Sequence, residues 1–359
     1  MAAVVLCVNL LRMLHFRWKI LPLLLPIIGC VNKNSIDNHV VVNASQVILR
    51  IEPSEKSQEI TTLNQGQVLI DLGEVGPAES QIALGEEVFQ TPWVKVQTPE
   101  NQSGWVLAWA LKANGKQGDW LLQKRLVCYF GKSLTLRRNT VVQSFASLET
   151  EAKMAQLWQE SNTLRDTFLK LLAQRPEAGF PLQFNWLNEA LPGFLFQKIG
   201  ENEGPHLFAD FQIWQHIALK TNGLQDDAFF QTCLSAFPLD SIESFFPVWK
   251  FQLAESESAS QLGTGQHVKL FRQMDQVLET GMLFKHPLEI FKEQILEDIF
   301  EKKQRYWQPQ EKILAELDQI LADPPKCLNT RDREALGIRY KMFEDPEGNG
   351  LRVNLRSGE

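Results

Sequence analysis

Val47-Ile48-Leu49-Arg50-Ile51-Glu52-Pro53-Ser54 is an apolar, β-branched run that ends in a polar turn, and it is one of several such units. Val40 to Asn43, Gln67 to Leu72, Trp93 to Thr98 and Gly104 to Ala108 are built the same way. Turn residues at Pro53-Ser54, Asn64, Gly66 and Pro99-Glu100-Asn101 separate them. Short strands at this spacing predict a small barrel or sandwich over residues 40–113. Alternation puts Trp93, Lys95 and Gln97 on one face and Val94 and Val96 on the other, so Trp93 is expected to be partly exposed. Trp93 and Trp109 are therefore the candidate ligand-binding residues, whereas Trp105 is expected in the core, which a barrel this small fills with large side chains.

The order of the pieces resembles the bacterial SH3-like domain. Its opening strand and Arg-x-x-Pro-Ser turn correspond to Val47 to Ser54, and its second segment to Ile60 to Val68 with Gly66 at the tight turn. Trp93-Val94-Lys95-Val96 matches its tryptophan strand, and Ser103-Gly104-Trp105-Val106 with Ala110-Leu111 its closing strands. The resemblance implies recognition of a peptide, peptidoglycan or another protein, or a barrel that braces the rest of the chain. Leu72 to Gln90 is long for the family and reads as an insertion or an extra hairpin near the usual ligand side.

The amino end is read separately. Arg17 and Lys19 precede an apolar run, Ile20 to Ile28, whose length suits a signal peptide better than a membrane span. Ile27-Ile28-Gly29-Cys30 resembles the lipobox of bacterial lipoproteins, which implies cleavage after Gly29 and a lipid on the Cys30 sulfur. Residues 1–29 are thus expected to be a signal peptide, with Met13 the expected true start, and residues 30–39 a polar tether. Val31 after the cysteine points to the periplasmic side of the outer membrane rather than the inner membrane.

The full sequence carries a net charge of −7, and loss of Arg12, Arg17 and Lys19 on cleavage would make it −10. Such a chain has no basic footprint for nucleic acid. It would also be held at a membrane by its acyl chains alone, which takes more than one chain. Cys128, Cys233 and Cys327 are far apart and odd in number, and are expected to be buried apolar thiols.

From about Trp120 the periodicity becomes helical. Met154, Leu157, Trp158, Leu164, Phe168, Leu171 and Leu172 share one face, and Leu207, Phe211, Trp214 and Ile217 mark another helix. Asp240-Ser241-Ile242-Glu243 resembles a capping box. His286-Pro287 and Pro309 open two later helices. The expected fold class is multidomain α+β: a small all-β SH3-like barrel, a mainly α-helical domain over residues 120–325, and a tail, 331–359, with a hairpin across Ile338 to Leu355.

Catalytic motifs are sparse. Cys128 and Cys233 lie in apolar contexts that raise a thiol's pKa, and Cys327 has no histidine after it, which weighs against a cysteine peptidase. The histidines form no zinc-binding pair, and His216 is expected to pack partly buried beside Trp214. Gly263-Thr264-Gly265 lacks the lysine of a phosphate loop and reads as a turn before a helix, while Asp226-Asp227 reads as solvated surface. Phe229-Phe230 and Phe245-Phe246 are expected to fill the helical core. No cofactor, metal or catalytic residue is assigned. The expectation is a lipid-anchored envelope protein that binds or scaffolds, the alternatives being a wall-directed hydrolase with a helical catalytic domain or a structural subunit of an envelope complex.

Overall fold

The computed structural model describes residues 38–84, 87–113, 117–175, 182–198, 205–244, 246–254, 257–301 and 305–355. The expected signal peptide and the lipidated Cys30 lie outside them. Residues Asn38–Glu359 form one compact unit.

The β-region contains β1 (His39–Val42), β2 (Val47–Arg50), β3 (Glu59–Leu63), β4 (Val68–Leu84), β5 (Glu87–Gln97), β6 (Ser103–Leu107) and β7 (Leu111–Ala113). They pair in the order β3-β2-β6-β5-β4-β1-β7. Leu63 from one edge strand and Leu111 from the other belong to a single core with Val40, Leu49, Leu69, Val94, Val96 and Val106, so the sheet curls on itself. Gly104 explains part of the closing strand's composition. A Cβ there would lie 2.7 Å from the Arg50 carbonyl oxygen and 2.7 Å from Leu49 Cγ, so β6 approaches β2 this closely only without a side chain.

Within Leu72 to Gln90, the described residues extend β4 to Leu84 and begin β5 at Glu87, and the two strands pair antiparallel. Asp71 pairs with Val96, Val75 with Val94 and Glu79 with Pro92, so β4 bulges twice against β5. The bulged segment folds over Trp93. Gly76 lies so close that a Cβ on it would be 3.0 Å from those of both Pro53 and Trp93, and the Trp93 indole donates to Ser80 Oγ at 2.8 Å. Trp93 is consequently 3% exposed, not partly open as its strand alternation suggests. The period-2 pattern names the face but not what covers it. Trp105 shares that outward face, pairs with Lys95 across the strands and is half-buried rather than core.

Helix α1 (Gln117–Ser144) leaves the barrel and kinks at Gly131, where φ is 79° and ψ 164°. The helical region continues through α2 (Glu151–Ala173), α3 (Leu187–Ala190), α4 (Phe211–Ala218), α5 (Gln225–Ala236), α6 (Gln266–Thr280), α7 (Lys285–Phe300), α8 (Gln310–Ala322) and α9 (Thr330–Glu344). Two small hairpins interrupt it: β8 (Phe194–Lys198) with β9 (Pro205–Ala209), and β10 (Lys250–Ala254) with β11 (Glu257–Ser260). Leu207 accordingly sits on a strand and not on the helix of Phe211 and Trp214.

Other expectations need correction. Ile338 to Glu344 is the end of α9 and not the first arm of a terminal hairpin, and the helical region runs past residue 325. Asn329 and Asp332 form a reciprocal capping box there, and Leu336, Arg339 and Phe343 fall on one buried face, which outweighs the local alternation. Asp240 to Glu243 caps nothing, because α5 ends at Ala236 and Ser241 and Ser244 take left-handed φ values of 59° and 66°. Phe229 and Phe230 are core, Phe246 is exposed, and Phe245 lies outside the described residues. His216 is exposed. Asp226 is fully buried, accepting from the Thr221 hydroxyl at 2.7 Å and from the Asp227 amide.

Candidate functional site

Three places in the unit combine chemistry with shape. The first is the junction of barrel and helices. The Glu79 carboxylate, carried there by the second bulge of β4, is buried and accepts from Arg125 Nε at 2.9 Å and from the Tyr129 hydroxyl at 2.9 Å. Arg125 also donates to the Gln90 carbonyl at 2.7 Å, and the Gln90 side-chain oxygen accepts from the Gln183 amide. Arg175 lies 4.0 Å over the Tyr129 ring and donates to the Pro77 carbonyl at 2.6 Å. Nearer the barrel core, Asp71 pairs with Lys124 at 2.5 Å and accepts from the Trp120 indole at 3.1 Å. Burial, reinforced by the Glu79 charge, pushes the Tyr129 phenol well above its usual range, so it stays a donor. The long loop is thus the strap that fixes the barrel to α1 and the segment after α2. Arg125 and Tyr129 stand four residues apart on one helix face, the only sequence signal for a shared partner.

The second place is the barrel surface at the short 3₁₀ turn Ala108–Ala110. Trp109 is 36% exposed there and its backbone amide donates to Thr91 Oγ1 at 3.1 Å. β5 also presents Val88 and Phe89 to solvent, three and two residues before Thr91. Of the two tryptophans read as ligand-binding, Trp109 reaches solvent and Trp93 does not.

The third is a cavity of about 380 Å³ in the helical region, within the size range of small-molecule sites. Trp158, Phe211, Phe229, Phe237, Phe284 and Phe291 line it. The rings contact one another in two runs from Trp158: through Phe211 and Phe237 to Phe291, and through Phe229 to Phe284. Asn162, Arg165, Glu243 and Gln294 add polar groups. Arg165 Nη1 donates to Glu243 Oε2 at 2.8 Å and Arg165 Nε to Asp166 Oδ1 at 2.9 Å. The left-handed residues Ser241 and Ser244 bracket Glu243 and set the loop that carries it. Sequence periodicity names the aromatic residues as core, but the gap left between them arises only from how the helices meet.

The sulfur and carboxylate chemistry is otherwise internal. Cys128, Cys233 and Cys327 are free and buried. Burial pushes the Cys128 thiol up to about 11 against the opposing pull of Arg175, and it raises Cys233 and Cys327 as well. Gly263-Thr264-Gly265 is the expected turn ahead of α6. The amides of Gly263, Gly265, His267 and Val268 all donate to the Glu316 carboxylate from α8, which occupies the place an anion takes at a helix N-terminus. His267 Nε2 and Ser260 Oγ bond to the same oxygen of Asp298, at 3.0 and 2.6 Å. The carboxylate thus stands between imidazole and hydroxyl, and not behind the imidazole as an activated serine requires. Among the described residues no group of three or more His, Cys, Asp or Glu is placed to hold a metal ion.

Comparison with curated proteins and with solved structures gives no match to the chain. The family comparison bears on the β-region. There, residues 45–112 match the bacterial SH3 domain, the kind of barrel that the Arg50 to Ser54 turn, Gly104 and the curled sheet describe.

Proposed function

We propose that the chain is a lipid-anchored protein of the bacterial cell envelope that binds or scaffolds through its SH3 barrel, without making or breaking bonds. Cys30 is the anchor in this reading, with the periplasmic face of the outer membrane the favoured location. Peptidoglycan, a wall peptide or an envelope protein is the partner. The observation that carries the reading is the pairing of a barrel that keeps Trp109 open with a strap that fixes the same barrel to a larger helical body. A barrel held this way presents its ligand at a set orientation, which a scaffold needs and a freely tethered module lacks. Flat aromatic faces suit sugar rings and apolar side chains.

The test is co-sedimentation of the purified protein with isolated peptidoglycan, alongside Trp109→Ser. The wild type is expected in the pellet and the variant in the supernatant. No sedimentation of the wild type overturns wall binding, and equal sedimentation of both overturns Trp109 as the contact. Cys30→Ser followed by cell fractionation tests the anchor: the protein is expected to leave the membrane fraction, and its retention there overturns lipidation. The strap also favours a structural subunit of an envelope complex, in which the helical body is the interface.

A further inference from the structure

The aromatic cavity of the helical region has no part in that proposal. Its walls come from separate elements. Ala155, Gln159 and Asn162 follow one another along one face of α2, and His286, Ile290 and Gln294 along one face of α7. Phe229 and Cys233 come from α5, and Glu243 from the loop after it. At helical spacing, these rows give two roughly linear rims.

Three features select a ligand class. The interior is ring-lined, and its thiol at Cys233 is kept neutral by burial, so the body of the ligand is apolar. The collar is apolar as well, with Leu283 44% and Ile290 48% exposed to solvent. The polar groups are matched rather than vacant in charge: Arg165 spends its guanidinium on Glu243 and Asp166, and Glu243 also accepts from the Ala209 amide at 3.2 Å. The capacity left over is neutral hydrogen bonding. Asn162 uses its Nδ2 on the Trp158 carbonyl at 2.8 Å and keeps its side-chain oxygen, and the side-chain amide of Gln294 makes no hydrogen bond among the described residues. Arg165 is matched and His286 stands on the α7 rim, so a phosphate or carboxylate in the interior would lie beside Glu243 and Asp166, which repel it.

We infer that this cavity is a binding site for an uncharged amphiphile: an apolar ring or chain that fills the space between Trp158, Phe229 and Phe291, with an amide or hydroxyl head at Asn162 and Gln294. The Arg165–Glu243 pair is its charge filter. Matched to each other, the two groups admit a neutral head and disfavour an ionised one.

The experiment titrates the full-length protein with N-phenyl-1-naphthylamine, a neutral arylamine that brightens in apolar surroundings. Bound dye is then displaced with 1-dodecanol or with dodecanoate at pH 8. Saturable dye binding is expected, with dodecanol displacing it at about tenfold lower concentration than dodecanoate, the result of a modest charge penalty. Displacement by dodecanol identifies a site that takes chains as well as rings, and failure of dodecanol with retained dye binding restricts the body to rings. Ile290→Trp, at a position 48% exposed, and Ala155→Trp both narrow the mouth and are expected to weaken dye binding about tenfold or more, with circular dichroism of each variant matching the wild type. Glu243→Gln removes one of the two carboxylates that face Arg165 and is expected to reduce the preference for alcohol over carboxylate. Absence of saturable binding, or wild-type binding in both tryptophan variants, overturns the site. An unchanged alcohol-to-carboxylate ratio in Glu243→Gln overturns the charge filter.

Discussion

Glu79→Ala is the sharpest test of the strap between barrel and helices. The carboxylate is fully buried and makes two charge-assisted bonds, to Arg125 Nε and to the Tyr129 hydroxyl, each 2.9 Å long. Hydrogen bonds to charged groups are worth about 1.5–3 kcal/mol each, so losing both sets an upper range of about 3–6 kcal/mol. Arg125 is about one-fifth exposed and keeps its bond to the Gln90 carbonyl, so it turns partly to water and recovers some of its share. Tyr129 is buried and has no such escape, since its ring is enclosed by Phe130, Phe184, Trp186 and the Arg175 guanidinium. The expected cost is therefore about 3 kcal/mol, in the lower part of the range for breaking a buried pair. Urea denaturation followed by tryptophan fluorescence and by far-ultraviolet circular dichroism measures it. The two probes weigh barrel and helices differently, so their curves should coincide in the wild type and move together in the variant.

A double-mutant cycle with Arg125→Met isolates the pair. The coupling is expected at about 1–3 kcal/mol. If Glu79→Ala and Arg125→Met add without coupling, to within about 0.5 kcal/mol, the ion pair does not join the two parts and the strap argument fails.

Trp109 is 36% exposed, so Trp109→Ser should cost about 1–2 kcal/mol from its covered face while wall binding falls, which thermal melts and sedimentation together would check. Glu316→Gln withdraws the charge from four backbone amides at the start of α6 and turns an NH₂ toward some of them, for an expected loss of about 2 kcal/mol in urea denaturation. Cys128 is held at about 11 in the fold against 9.0 for an ordinary thiol. The unfolded chain therefore releases that proton first as pH rises, and stability is full below pH 9 and declines toward pH 11 by about 3 kcal/mol. Urea midpoints at pH 8 and 10.5 should show the decline in the wild type and a smaller one in Cys128→Ala. Asn329→Ala removes half of a capping box and should cost about 1 kcal/mol, read from the same melts.

The barrel was legible because its signals are local. Strand alternation, the turn residues and Gly104 each act within one or two strands, and together they name the fold. The fate of Trp93 was not legible, since it depends on a double bulge that brings Gly76 and Ser80 across the strand face. The same holds for Asp226. An acidic pair reads as surface until Thr221 folds back to donate to it. In the helical region the apolar stripes of α2, α7 and α8 were readable from spacing, whereas β8–β9 and β10–β11 were not. Their strands are four or five residues long and take their stability from the helices around them, so no periodicity has room to develop. The terminal tail went the other way. Its alternating residues were real, but a reciprocal cap at Asn329 and Asp332 commits the segment to a helix before alternation can matter.

The polar character of the strap bears on how the two parts depend on each other. An apolar interface would leave a separated barrel merely sticky. A buried carboxylate at the interface is different, because Glu79 is satisfied only when Arg125 and Tyr129 of α1 are in place, and those two are positioned by the helical core around Phe130 and Trp186. Removing the helices would expose Glu79 to water and cost the bulged segment its reason to lie over Trp93. The conformation of the bulged surface over Trp93 is therefore set partly by residues more than thirty positions downstream of Gln90. In return, the Trp109 surface is held at a fixed angle to α1, since α1 begins four residues after β7 ends and Gln117 bonds back to Leu111 and Ala113. With so short a connection and the charged clamp at Glu79, a displacement of the barrel reaches the helical body directly instead of being lost in a linker.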